Sequence, residues 1–197
     1  MNSIICGIDE AGRGPLAGPV YAASVILGDN FPKSLLAELN DSKKLSAPRR
    51  EELRQEIFKS ALAWGIGSAD HTEIDKINIL QATLLAMKRA FEEMIKKINL
   101  PMAENISIIV DGNQVPQLAL PKNCTITAMK KADAQVHEVM AASILAKQER
   151  DSYMDKMALL YPEYGYEKHK GYPTKAHREA VRKYGHSPIQ RTSFRVR

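Results

Sequence analysis

Apolar residues along the 197-residue chain fall into two kinds of pattern, short runs and helical periods. Short apolar runs bounded by glycine or polar residues are typical of buried strands, whereas apolar residues three or four positions apart indicate helices. The short runs predict strands at 3–9, 19–27, 61–69, 106–112 and 124–133. The helical periods predict helices at about 46–61, 79–97, 134–160 and 174–184, with a loop at 71–78.

The order of these elements predicts an α/β fold with a mixed five-stranded sheet flanked by helices. A glycine-rich turn joins the first two strands, so we expect the first three strands to be antiparallel. The later strands are expected to be parallel. We expect a single domain over 1–197, with a basic helical and tail segment from about 155 to 197.

Three predicted strands end on an acid: Asp9 closes the first, Asp111 the fourth and Asp133 the fifth, and Glu10 follows Asp9 directly. Sites in α/β sheets form beyond the strand ends. Adjacent strand residues point to opposite faces, so we expect the strand to break here, helped by the glycines that follow. Carboxylates without His or Cys neighbours favour Mg²⁺, Mn²⁺ or Ca²⁺ over Zn²⁺. The sequence therefore predicts a site for one or two such ions in phosphodiester chemistry.

Each acid also has an ordinary structural interpretation. Asp133 suits the N-cap of the following helix, and Asp111-Gly112-Asn113 is a common turn signal. Asp151 lies too far along its helix to join the site. The glycines at 12, 14 and 18 do not match either common nucleotide-binding motif, which disfavours a nucleotide-binding loop.

Composition narrows the class of protein. The formal net charge of +5 favours a polyanionic partner. The two cysteines, Cys6 and Cys124, show no zinc spacing and suit a reducing, cytoplasmic setting. No apolar run is long enough to span a membrane.

The motifs resemble those of ribonuclease HII, the prokaryotic type 2 ribonuclease H. The segment IDEAGRGPLAGPV is the most specific match, and further segments follow in family order: DSKKLS at 41–46, INILQATLLAMKRA at 77–90, IIVDGN at 108–113, AASILAKQERD at 141–151 and HKGYPTKAH at 169–177. The resemblance implies an RNase H-like fold with a C-terminal helical segment. It also implies metal-dependent hydrolysis of the RNA strand of RNA–DNA hybrids, and incision 5′ to single ribonucleotides in duplex DNA.

The resemblance also assigns residues. Asp9, Glu10, Asp111 and Asp133 match the family's four catalytic, metal-binding acids. The turn Gly12-Arg13-Gly14 matches the element that senses the ribose 2′-hydroxyl, and Tyr172 matches the tyrosine that stacks at the junction. The chain departs from the family at Gln135, where a lysine is usual, which leaves the local substrate contacts open.

Basic residues offer candidate contacts to the nucleic-acid backbone, although most charge runs are simply solvated. They are Lys43, Lys44, Lys168, Lys170, Lys175, Arg178, Arg182, Lys183, Arg191, Arg195 and Arg197. His169 and His177 are proton-shuttle candidates, but their basic surroundings favour surface positions. We expect a monomer, although the sequence leaves the oligomeric state open, and a cofactor that is Mg²⁺ or Mn²⁺. The tail FRVR is too short to decide on a sliding-clamp contact. The alternatives are a DNA nuclease or resolvase on the same fold, and an inactive nucleic-acid-binding protein.

Overall fold

A computed structural model describes residues 4–40, 46–98, 105–120 and 122–196. The strands are β1 (Ile4–Ala11), β2 (Val20–Ile26), β3 (Ala63–Ala69), β4 (Ile106–Asp111) and β5 (Cys124–Met129). The α-helices are α1 (Lys33–Asn40), α2 (Ala47–Ser60), α3 (His71–Lys97), α4 (His137–Leu160), α5 (Tyr166–His169) and α6 (Lys175–Tyr184). Short 3₁₀ helices lie at Ala132–Ala134 and Pro162–Tyr164. Within these ranges no helix is long and apolar enough to cross a membrane.

The strands form one mixed sheet in the order β3-β2-β1-β4-β5. Strand β2 pairs antiparallel with β1 and β3, whereas β4 pairs parallel with β1 and β5. The predicted α/β class and the predicted strand directions are confirmed. The first and fourth strands of the chain are therefore neighbours at the centre of the sheet and run the same way.

Helices cover both faces of the sheet. Alternate residues of β1 and β4, such as Ile8 and Ile108, are buried with the apolar side of α3. On the other face, β2 packs with α1, α2 and α4. Gly7 permits the close approach of α4, because a Cβ at this position would lie 2.2 Å from the backbone carbon of Glu138. The strand ends and the start of α4 are consequently held at short range.

The loop predicted at 71–78 is wrong, because α3 already begins at His71. Asp70 accepts the N–H of Glu73 at 2.9 Å, and the Glu73 carboxylate accepts the N–H of Asp70 at 3.1 Å. This reciprocal capping box starts a helix within a polar segment. Asn78, with φ 68° and ψ 165°, then interrupts α3, and its side chain accepts the N–H groups of Leu80 and Gln81. The predicted start near 79 matches this second beginning.

The predicted end of the fifth strand is also wrong. Strand β5 ends at Met129, and Lys131 adopts a left-handed conformation with φ 60° that stops the extended chain. Asp133 lies in the 3₁₀ turn that follows. The N-cap position of α4 belongs to Val136, so Asp133 does not have the capping role considered for it. Helix α1 had no predicted counterpart.

The C-terminal segment packs around its own apolar cluster against the end of α4 and the turn after β1. The members of this cluster include Ala17, Met154, Tyr164, Tyr166, Val181 and Ile189. Asp75, near the start of α3, holds the last residues, because its carboxylate accepts the N–H and hydroxyl groups of Thr192 and Ser193 at 2.5–2.9 Å. Burial raises the pKa of Asp75, but these hydrogen bonds outweigh it and lower the pKa to about 2.

His169 and His177 are buried, which contradicts the surface positions favoured for them. Their rings stack with centroids 4.6 Å apart, and His177 is 0% exposed. Gly171 donates its N–H to His169 Nδ1, so the His169 proton sits on Nε2, 2.9 Å from the Tyr164 carbonyl. His177 Nδ1 lies 3.0 Å from the Tyr172 carbonyl and donates to it. Two neutral rings with opposite tautomers therefore support the loop that contains Tyr172.

Acid should destabilise the protein through this pair. Burial lowers the pKa of both His169 and His177 below the usual 6.5, so the folded state favours the neutral rings. Their stabilisation is complete above the unfolded pKa of about 6.5 and is lost as the pH falls below it. We expect the melting temperature to fall between about pH 7 and pH 5, and to fall less in His177→Asn, whose amide can still donate to Tyr172.

His186→Gln changes an exposed histidine and serves as the control. We expect its melting temperature to fall with acid as much as that of the wild type. Thermal melts followed by circular dichroism at matched ionic strength provide the measurement. Equal acid sensitivity of His177→Asn and the wild type would contradict the assignment.

Candidate active site

The parallel pairing of β1 with β4 brings two acids together. Ile8 pairs with Val110, and Asp9 and Asp111 are the next residues of the two strands. Neighbouring strands lie about 4.8 Å apart, so these two side chains start from adjacent backbone positions. The negative charge of Asp111 raises the pKa of both Asp9 and Glu10, as expected for neighbouring carboxyls.

Asp9 is only 5% exposed. Burial, the charge of Glu10 and the charge of Asp111 raise its pKa well above the usual value. Hydrogen bonds from Ser143 of α4 and from the Glu10 N–H, at 2.7 Å, partly oppose this shift. An ionised Asp9 is therefore an unfavourable charge that a bound cation would stabilise.

The strand does not break between Asp9 and Glu10, contrary to expectation. Both residues pair regularly with β2, opposite Ala23 and Ala22, and the break comes at Gly12 with φ 100°. Glu10 consequently points to the α3 side of the strand. Its Oε1 atom lies 3.3 Å from Arg13 Nη1, whereas its buried Oε2 atom has no hydrogen-bond partner in the described structure. Burial raises the pKa of Glu10, and Arg13 opposes the rise.

Asp111 also fixes the turn that contains Asp133. Its Oδ1 atom accepts the Ala132 N–H at 2.7 Å, which ties the 3₁₀ turn to the end of β4. Gln135, at the position where the family usually has a lysine, donates from Nε2 to the Lys131 carbonyl at 3.1 Å and closes the same turn. A cleft of about 20 Å³ lies beside these elements and is lined in part by Glu10, Arg13 and Asp111.

The glycine turn and Tyr172 lie side by side. A Cβ added to Gly14 would come within 3.7 Å of Tyr172 Cε1. The Tyr172 ring is 45% exposed, and the guanidinium carbon of Arg150 lies 5.7 Å from its centroid. Lys43 and Lys44, also named as candidate contacts, lie outside the described residues.

Two buried arginines were not recognised from the sequence. Arg150 is 1% exposed, and Arg191, one of the candidate contacts to the nucleic-acid backbone, is 0% exposed. Arg191 donates to the carbonyls of Gly12, Arg13, Pro15 and Gly18, and Arg150 donates to those of Ala17, Pro19 and Lys170. Neither Arg150 in a helix nor Arg191 in a basic tail has a sequence signal of burial, so only the fold reveals these contacts.

The donor set fits a hard divalent cation. The acids at the ends of β1 and β4 offer carboxylate oxygens, and the buried Glu10 Oε2 has no hydrogen-bond partner in the described structure. In the described parts of the chain no three carboxylate, imidazole or thiol groups are already gathered into a metal-holding cluster. The Glu10 Oε1 atom is paired with Arg13, which leaves Oε2 as the oxygen of this carboxylate that an ion could bind without breaking that pair.

Known proteins of one family match nearly the whole chain. The family model for ribonuclease HII matches residues 6–197. A ribonuclease HII of Treponema denticola is 55% identical over 202 aligned positions, which span 98% of this chain and 99% of that protein. The chain belongs to the ribonuclease HII family. It is therefore an endoribonuclease that acts on RNA–DNA hybrids and depends on a divalent metal ion.

Solved structures share the fold. The Archaeoglobus fulgidus RNase HII, solved in complex with PCNA, is 27% identical with a TM-score of 0.73, and 98% of this chain and 96% of that chain are covered. Bst-RNase HIII, solved with Mn²⁺, gives a TM-score of 0.75 at 16% identity, with 98% of this chain and 67% of that chain covered. The second match shows the fold alone. The RNase H-like architecture inferred from the sequence is thus confirmed.

Asp9→Asn should abolish cleavage and, without metal, stabilise the fold. The ionised carboxyl is costly in its buried position, and the neutral amide can still accept the Glu10 N–H. One unit of pKa shift corresponds to about 1.4 kcal/mol, so we expect a melting temperature a few degrees higher at neutral pH. We expect turnover of an RNA–DNA hybrid to fall by about 10³-fold or more, with hybrid binding retained.

Mg²⁺ or Mn²⁺ should raise the melting temperature of the wild type and leave that of Asp9→Asn nearly unchanged. Asp29→Asn, a change at an exposed acid outside the site, is the matched control and should behave as wild type. Undiminished turnover by Asp9→Asn would exclude the assigned role.

Proposed function

We propose that this ribonuclease, besides cleaving RNA–DNA hybrids, incises duplex DNA on the 5′ side of a single embedded ribonucleotide. The products would have 5′-phosphate and 3′-hydroxyl ends. The observation that supports this proposal is the position of the glycine turn, which lies close to Tyr172 at Gly14 and, through Arg13, lines one cleft with Glu10 and Asp111. An enzyme that cleaves beside a single ribose needs the groups that distinguish ribose from deoxyribose close to its catalytic acids. We further propose that residues 1–197 act as one catalytic domain.

Asp9, Glu10, Asp111 and Asp133 are the proposed metal-binding and catalytic acids. The side chain of Asp9 is held by Ser143 and the Glu10 N–H, so its direction is set before substrate arrives. The Ala132 N–H similarly orients Asp111. Bound Mg²⁺ or Mn²⁺ would supply an activated water and stabilise charge on the phosphate oxygens. Both ions suit a set of oxygen ligands.

Gly12, Arg13 and Gly14 are the proposed ribose sensor. The 2′-hydroxyl distinguishes RNA from DNA at a given nucleotide, and a glycine backbone can approach it without a side chain in the way. The Arg13 side chain, 48% exposed beside Glu10, can turn to a phosphate of the scissile strand. Substrate binding would then release the Glu10 carboxylate for its function at the metal.

Tyr172 is the proposed stacking residue at the junction between ribonucleotide and deoxyribonucleotide. Tyr172 is 45% exposed, and Arg150 and Gly14 lie beside its ring. Stacking on an aromatic ring contributes about 1–3 kcal/mol per base. Tyr172 would therefore orient the strand at the one step where the sugar changes.

A sliding clamp is the partner seen with the Archaeoglobus relative. In this chain the C-terminal aromatic residue, Phe194, packs against the core and lies 5.2 Å from the Arg191 guanidinium carbon. A clamp contact through Phe194 would require the tail to leave this position.

The direct test uses an end-labelled DNA duplex with one ribonucleotide, incubated with and without Mg²⁺. We expect one cut, 5′ to the ribonucleotide, only when metal is present. A uniform DNA duplex is the control and should remain intact, since its cleavage at an equal rate would favour a DNA nuclease. Absence of the single cut, with active cleavage of a long hybrid, would contradict the proposal.

Tyr172→Ala should reduce kcat/KM on the single-ribonucleotide duplex about tenfold or more, and should reduce it less on a long hybrid. The enzyme can bind and cleave a long hybrid at many positions, whereas the single-ribonucleotide duplex has only one productive position. Tyr184→Ala removes a comparably exposed tyrosine, 49% against 45%, and should affect neither substrate. Equal losses on both substrates would argue against a junction role for Tyr172.

A further inference from the structure

We propose that Arg191 and Arg150 are positioning residues that determine the selectivity for ribose, because they fix the direction of the turn at residues 12–19 and its distance from Tyr172. The inference rests on the proposed role of this turn and of Tyr172. Neither arginine touches the acids in any contact that the structure describes. Both would act only through the backbone that they hold.

Arg191 binds the turn from its buried side. Its Nη2 atom donates to the Gly12 carbonyl at 2.6 Å, and Nη1 donates to those of Arg13 and Pro15 at 3.0 and 2.8 Å. Its Nε atom donates to the Gly18 carbonyl at 2.8 Å. One planar guanidinium group, itself buried, thus binds four carbonyls of a seven-residue stretch. Lysine, a point charge on a flexible stem, cannot reproduce this fork of donors.

These bonds also determine where the turn presents its N–H groups. In a planar trans peptide the C=O and the following N–H point in opposite directions. The carbonyls of Gly12 and Arg13 point inward to Arg191, so the N–H groups of Arg13 and Gly14 point outward. Within the described residues, these two N–H groups have no protein acceptor. Tyr172 lies near the same turn, because a Cβ built on Gly14 would be 3.7 Å from Tyr172 Cε1.

Arg150 connects the turn to the Tyr172 loop. Its Nε and Nη2 atoms donate to the carbonyls of Pro19 and Ala17 at 3.0 and 3.1 Å, on the side of the turn. Its Nη1 atom donates to the Lys170 carbonyl at 2.9 Å, two residues before Tyr172. The planar Arg150 guanidinium therefore connects the turn to the Tyr172 loop, the two elements that would contact the ribonucleotide. Direct bonds from the Leu16 N–H to the Gly171 carbonyl and from the Arg191 N–H to the Leu16 carbonyl complete the connection.

Burial of the Arg150 and Arg191 guanidinium groups among backbone carbonyls has a large desolvation free energy, which stabilisation of a turn alone does not require. Burial lowers the pKa of Arg150 and Arg191, which shows that the charged forms are disfavoured where they lie. No carboxylate forms a described salt bridge with either group. Buried charges are normally paired with an opposite charge. The geometry that these arginines impose on the turn offers a functional reason for this cost.

The test compares Arg191→Lys and Arg150→Lys with wild type on three substrates: a DNA duplex with one ribonucleotide, the same duplex with a 2′-fluoro nucleotide there, and a long RNA–DNA hybrid. A displacement of about 1 Å can reduce rate about 10²-fold. We expect kcat/KM on the single ribonucleotide to fall about 10- to 100-fold, with the preference for ribose over the 2′-fluoro sugar reduced. Arg89→Lys, which alters an exposed arginine paired with Glu73, is the matched control.

Two additional measurements distinguish a displaced turn from a general loss of structure in the arginine variants. Mn²⁺ binding at the acids, measured by calorimetry, should match wild type, because the arginines do not touch Asp9 or Asp111. Melting curves establish that each variant is folded at the assay temperature. An unchanged ribose preference in a folded variant overturns the inference. Loss of Mn²⁺ binding together with activity also overturns it, because the defect is then general.

One further measurement requires no variant. If the two arginines hold the turn rigidly, the Leu16 and Gly18 amides of the wild type should exchange with solvent as slowly as those of β1. Fast exchange would overturn the inference even if neither variant folds. Failure of the proposed function has a different signature, since the wild type itself would then not cut at a single ribonucleotide.

Discussion

Parallel pairing of β1 with β4 is the constraint on which the site depends. It places Asp9 beside Asp111 although about a hundred residues separate them in the chain, and α3 on one face and α4 on the other hold the two strands in place. The proximity has an electrostatic cost, visible in the raised pKa of Asp9 and Glu10. A divalent cation bound at the proposed site would offset that cost, so the property that disfavours the metal-free fold would favour ion binding. Such trade-offs between stability and function are common at active sites.

The turn after β1 contains buried positive charge, in contrast to the buried carboxyls at the strand ends. There, cationic side chains are buried to orient backbone groups, and Arg191 and Arg150 join the start of the chain to its end. The Asp75 carboxylate fixes the segment that follows Arg191, and the stacked histidines support the loop that contains Tyr172. The C-terminal segment thus holds the turn after β1 and the Tyr172 loop in place, in addition to any contact with nucleic acid.

Much of the fold could be predicted because it follows from local pattern. Apolar runs gave the five strands, and helical periods gave the major helices to within a few residues, apart from the first turns of α3. The errors at the end of β5 and at the start of α3 share a cause. In both places the backbone conformation depends on single residues and their contacts, which the pattern of apolar and polar positions does not contain. Lys131 ends β5 in a left-handed conformation, and a capping box makes 71–77 helical in spite of its polarity. The acids could be named from their positions and the family resemblance, whereas buried Arg191 and His177 resembled surface residues because their partners are backbone carbonyls.

The central claim is that the acids of β1 and β4 form one cation site. Crystals soaked in Mn²⁺ and measured at the manganese absorption edge would test it most directly, because the anomalous signal locates the ion without reference to activity. The account predicts a peak bound by Asp9 and Asp111, with Glu10 rotated away from Arg13 toward the ion. A peak elsewhere, with Asp9 and Asp111 unliganded at saturating Mn²⁺, would contradict it.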